Sequence, residues 1–212
     1  MPNWCENRLT ISGAKQGLEI FREYARRDEE LLCFDVFVPY PEEFKNKDRI
    51  AEAFDAMRDA ITDAIVAGAV SDEGILMILS KAVGLSQGLH VRCGFNSGGH
   101  EWCCSHWGTK WSCCNEESRM SGDNLVFVFD TAWSPPVPVV VAMGKMFPVL
   151  RFELEYAEPG EAFRGTLIME DGEVTDLVKK RTIHSMSLTS LSHIMKQHYK
   201  WRFVNHGLRH IS

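Results

Sequence analysis

The chain has 212 residues, 45% of them hydrophobic, which is enough for a sizeable buried core and points to one domain with additions. The net charge is −6, and no apolar run approaches the roughly 18 residues that a membrane helix needs. Seven cysteines are an odd number, and the Met-Pro-Asn-Trp start lacks a basic stretch and an apolar signal core, so the expectation is a cytoplasmic protein with reduced thiols, not a disulfide framework.

The charge is unevenly spread. All 29 acidic residues lie at or before Asp176, while residues 177–212 hold seven Lys/Arg and five His. The first part is therefore 16 − 29 = −13 and the last part +7. Such a split suits a tail that meets a polyanion, or one that docks on its own acidic body.

In chain order, Cys5, Asn7, Leu9 and Ile11 alternate with Glu6, Arg8 and Thr10, which is the period of a strand. A helix follows over about residues 14–27, with Leu18, Phe21 and Ala25 on one stripe. Residues 31–38 read as an extended buried segment stopped by Pro39-Tyr40-Pro41. Two helices then read as an insertion over about residues 42–88. The first spans about 49–67, with Phe54, Met57, Ile61 and Ile65 at helical spacing and Gly68 as its stop; the second runs from Ser71 to Gly84.

Residues 88–118 are rich in Gly, Cys, His and Trp, with a strand expected near 106–112. Residues 125–129 alternate as a strand, and Ser134-Pro135-Pro136 reads as a helix start in which Ser134 caps. Residues 151–156 and 163–169 read as strands, with Asp171-Gly172 as a tight turn after the second. A last helix is expected over about 187–201, with Leu188, Leu191 and Met195 on its stripe.

Without the insertion the order is strand, helix, strand, strand, helix, strand, plus a further strand. Split β-α-β units of this order give an α+β fold: a ferredoxin-like antiparallel sheet with two helices on one face, here with a helical insertion and a C-terminal basic helix. The expected division is a domain over 1–176 and a basic extension over 177–212.

Three frames stand out: Pro2-Asn3-Trp4-Cys5-Glu6-Asn7-Arg8-Leu9-Thr10-Ile11-Ser12-Gly13, Trp107-Gly108-Thr109-Lys110-Trp111, and Thr131-Ala132-Trp133-Ser134-Pro135-Pro136. With Tyr156-Ala157-Glu158 they resemble the YubB-type ferredoxin-like family of small plasmid- and phage-encoded proteins, over roughly residues 1–30 and 90–176. The resemblance implies the fold and a mobile-element setting, and it implies no activity.

The candidate sites follow from side-chain chemistry. On a strand, Trp107, Thr109 and Trp111 share a face and Lys110 lies on the other; the two indoles either stack a base, sugar or aromatic ligand or pack as core. The backbone N–H groups of the helix after Thr131 and Trp133 either hold an anion or are simply capped by Ser134. Asn7, Tyr156 and Glu158 converge with Trp133 on a pocket if their strands are neighbours, with Glu158 as a base of raised pKa.

Cys103, Cys104, Cys113 and Cys114, with His100 and His106, are zinc-type ligands at the wrong spacing for a zinc knuckle, so no metal is expected. Lys196, Lys200, Trp201 and Arg202 interleave cations with an aromatic residue, as a single-strand nucleic-acid contact does; the alternative is a basic helix lying over the body. No catalytic motif and no cofactor site is present in the sequence. The expected function is a binding or interaction module with a protein partner or self-association. One alternative is nucleic-acid binding through the tail and Trp107/Trp111; another is a small-molecule enzyme built on Trp133, Lys110 and Glu158.

Overall fold

A computed structural model describes residues 3–68, 73–74, 93–160 and 162–181. The elements, in order, are β1 (Trp4–Ser12), α1 (Lys15–Tyr24), α2 (Phe34–Phe37), α3 (Glu42–Val66), a 3-10 turn (Phe95–Ser97), α4 (Gly99–His106), β2 (Cys114–Ser121), β3 (Asn124–Ala132), α5 (Val137–Met146), β4 (Arg151–Glu158), β5 (Phe163–Glu170) and β6 (Glu173–Arg181).

The strands form one antiparallel sheet in the order β2-β3-β1-β4-β5-β6. Its first four strands, joined by α1 and α5, are two interlocked split β-α-β units. The β5–β6 hairpin extends that core. Its turn uses Asp171 and Gly172, both at positive φ (51° and 76°), as a two-residue hairpin of right-handed twist requires.

Alternation decides which face is buried. Asn7 pairs with Phe129 on one side and Tyr156 on the other, and Leu9 with Phe127 and Leu154, so one face collects Cys5, Leu9, Ile11, Leu125, Phe127, Phe152 and Leu154, all fully buried. Leu18 and Phe21 of α1 and Val139, Val140 and Met143 of α5 pack on that face. Phe21 stands at the centre, with its ring against Phe37, Phe127, Phe147 and Phe152. The other face carries Glu6, Arg8, Thr10, Glu153, Glu155 and Thr166, all at least partly exposed.

Three expectations are corrected. Residues 31–38 are not a strand: they bend and then turn through the short α2, which buries Phe34 and Phe37. The first inserted helix begins seven residues earlier than expected, at Glu42, and buries only Phe44, leaving Ile50, Phe54 and Met57 exposed. Residues 107–113 are bends, not a strand, because α4 ends at His106 and Gly108 turns the chain at φ 78°. A Cβ on Gly108 would lie 2.6 Å from Pro138 Cδ, so only glycine fits there.

The stretch that separates α1 from β2 holds α2, α3 and α4. Strand β6 runs over Glu173–Arg181. The second inserted helix and the helix over 187–201 lie outside the described residues.

Candidate functional site

The three sequence frames meet at one point, the turn that follows β3. The Ser134 N–H donates to the Ala132 carbonyl at 2.9 Å, closing a three-residue turn centred on Trp133, whose φ is 70°. That is a γ-turn of the rare, strained hand, and a bulky side chain at such a φ is an outlier that costs of order 1–3 kcal/mol.

The surroundings over-determine the turn. The Trp133 N–H donates to the Asn3 carbonyl at 2.9 Å. Thr131 Oγ1 donates to the Ser134 carbonyl and accepts from Asn7 Nδ2, each at 2.8 Å. Thr109 Oγ1 donates to the Ala132 carbonyl at 3.0 Å, and Ser134 Oγ to the Gly108 carbonyl at 2.5 Å. Asn7, Thr109 and Thr131 are all buried. Polar side chains from each frame thus hold one strained residue in place.

What the turn presents is an indole, with Trp133 45% exposed. The Lys110 ammonium lies 4.8 Å from the Trp133 ring centroid, 4.9 Å from that of Trp111 and 6.0 Å from that of Phe95. Each such contact is worth about 0.5–1 kcal/mol at an exposed site. Trp4 braces Trp111 edge-on at 6.3 Å, and His100 braces both Trp133 (6.0 Å) and Phe95 (5.4 Å). Phe95, His100 and Trp4 are additions to the set expected from sequence. Trp4 belongs to the first frame, and His100 has in the sequence only the chemistry of a metal ligand.

Other predicted residues lie elsewhere. Trp107 is core, 6% exposed, and its Nε1 donates to the Val38 carbonyl at 2.8 Å. With no strand at 107–113, the shared Trp107/Trp111 face is not formed. Ser134 does not cap α5, because its hydroxyl is taken by Gly108. The first turn of α5 also offers little to an anion: Pro136 and Pro138 have no N–H, and the Val137 and Val139 N–H groups bond the Pro135 and Pro136 carbonyls.

Asn7 and Tyr156 are indeed cross-strand neighbours, but they face the interior with Glu158. Glu158 is 1% exposed and accepts the Gly160 N–H at 2.9 Å, so it does not join Trp133 and Lys110 in a surface pocket. The Tyr156 hydroxyl donates to the Val178 carbonyl, and burial, with a smaller effect of Cys5, raises its pKa.

All seven cysteines are free. Cys103 and Cys104 lie on α4, the first in the core and the second exposed, 3.7 Å from His100 Nε2. Desolvation and Glu101 push the Cys104 thiol up against the pull of Lys110, opposite to an activated nucleophile. Cys113 Sγ donates to the Leu32 carbonyl. Among the described residues no group of three or more His, Cys, Asp or Glu is placed to hold a metal. Lys196, Lys200, Trp201 and Arg202 lie outside the described residues. No described helix is long and apolar enough to cross a membrane.

The sheet order and the two helices on one face define an α+β protein of the ferredoxin-like type. Residues 106–194 match a family described as the ferredoxin-like domain in Api92-like protein. The crystal structure of protein Api92 from Yersinia pseudotuberculosis is similar at 12% identity, with a TM-score of 0.47 over 88% of this chain and 100% of that one. The comparison with curated proteins gave no match.

Proposed function

We propose that this chain is a non-catalytic binding module and that its contact surface is Trp133, Lys110 and Trp111. The observation that supports this is Trp133 itself. A turn of this shape is least strained with glycine, yet it carries the largest side chain, aimed outward beside a cation. Exposed tryptophans of this kind are the residues on which contact energy concentrates.

The resemblance of the three frames to the YubB-type family supports a mobile-element setting, and a cytoplasmic location and a basic extension after the domain are part of the same reading.

The test is site-specific photo-cross-linking in the expressing cell. A photoreactive residue at Glu101, which is exposed and next to His100, reports on the patch; one at Val149, 82% exposed and on the α5–β4 connection, is the control. A discrete adduct from Glu101, absent at Val149 and lost with Trp133→Ala, is expected. Equal labelling at both positions contradicts the reading.

A further inference from the structure

We infer that the ligand of the Trp133–Lys110–Trp111 patch is a single-stranded nucleic acid, which runs from the patch along the end of the sheet towards the close of β6. The inference rests on the patch being the contact surface and adds the class of partner.

Three observations carry it. The first is the patch chemistry. An exposed indole offers a stacking face to any base, and an ammonium held 4.8 Å and 4.9 Å from two indole centroids stands where the phosphate of a stacked nucleotide passes. Lys110 is only partly buried, so its charge remains available on the solvent side.

The second is the sheet register. One row crosses all six strands: Cys114, Asp130, Glu6, Ala157, Arg164, Lys180. Glu6 lies two residues from Trp4, at the patch end of β1. Lys180 is three strands further, about 14 Å at the usual strand spacing. Lys179, Lys180 and Arg181 therefore close β6 at the end of the sheet that bears the patch, and no acidic residue follows them in the sequence. A span of about 14 Å lies within the reach of the shortest sites, about 4 nucleotides, on single-strand-binding folds.

The third is the charge elsewhere. Glu117, Glu153, Glu155 and Asp176 occupy the face away from the helices, and α3 exposes Glu42, Glu43, Glu52, Asp55, Asp59 and Asp63. Arginines pair with some of these carboxylates, Arg8 with Glu155, Arg151 with Glu153, Arg49 with Glu42 and Arg58 with Asp55 and Asp59, but the carboxylates outnumber them, which disfavours a polyanion there. At that end Asp130 is buried and accepts a hydrogen bond from Asn115 Nδ2 at 2.9 Å, while Glu6 is partly exposed and Glu101, beside His100, is exposed, so attraction there rests on Lys110 and the indoles.

The test is fluorescence anisotropy of the full chain with labelled oligothymidylate, oligouridylate and a DNA duplex, at low and high salt. Binding to the single strands should exceed binding to the duplex and should fall as salt rises. Trp133→Ala and Lys110→Ala, each folded by circular dichroism, should weaken it, the former by roughly tenfold. Joint Lys179→Ala, Lys180→Ala and Arg181→Ala substitution should flatten the salt dependence by up to about three phosphate contacts.

Absence of binding, or binding unchanged by Trp133→Ala, overturns the inference. If the Glu101 adduct then persists and resists nuclease, the patch stands and its partner is a protein. If that adduct is also missing, the patch reading fails with it.

Discussion

Trp133 shows how a single residue can be held against its own preference. Its φ of 70° is open to glycine at little cost, and its indole gains only partial burial in return. The buried hydroxyls of Thr131 and Thr109 and the Asn7 amide bond the turn's own carbonyls and one another, so relaxing the turn would leave buried polar groups unpaired. This makes a specific prediction about strain. In most loops Ala is at least as stabilising as Gly. Here Trp133→Gly should be more stable than Trp133→Ala by about 1 kcal/mol, because both lose the indole but only glycine relieves the φ. Chemical denaturation of the two variants measures this; equal stabilities, or the reverse order, would mean that the turn is not strained.

At the scale of elements, what was legible in the sequence was whatever repeats with a period. The alternation of Cys5, Asn7, Leu9 and Ile11, and that of Phe152, Leu154 and Tyr156, gave β1 and β4 and their buried faces, and the Leu18/Phe21 stripe gave α1. Elements set by tertiary partners were not legible. Residues 107–111 have the Trp and Thr content of a strand, yet Gly108 turns the chain and Trp107 follows its bond to Val38 into the core. Residues 31–38 look extended, but aromatic packing of Phe34 on Trp107 and Phe129, and of Phe37 on Phe21, draws them into a helical turn. Ser134 has the context of a cap, and only the fold reveals the Gly108 carbonyl that claims its hydroxyl. The candidate site was half legible for the same reason. Lys110, Trp111 and Trp133 are legible from the frames and their aromatic and cationic chemistry, while their meeting depends on a backbone angle that no propensity assigns to tryptophan.

For the whole molecule, the cysteines set an upper pH limit on stability. Burial pushes Cys5 and Cys103 up to about 12, and burial together with the hydrogen bond to Glu30 pushes Cys33 up to about 11, from an ordinary 9.0. In the unfolded chain these thiols ionise near 9.0, while in the fold they keep their protons. Their contribution is therefore complete below about pH 9 and is lost as pH rises through 11 to 12. The slope is at most about 1.4 kcal/mol per pH unit per thiol. Urea unfolding at about pH 8 and about pH 10 should show a clear fall in stability; a flat profile would contradict the burial of these side chains.

The same whole-molecule view joins a buried network to an exposed surface. Asn7 and Thr131 touch nothing outside, yet they fix the turn that displays Trp133. The most direct test is the yield of the Glu101 photo-adduct in the Thr131→Val variant, a near-isosteric change that alters no exposed atom. A cooperative melting transition with the adduct lost is the expected result. An undiminished adduct from that variant would show that the three frames do not build a binding surface together.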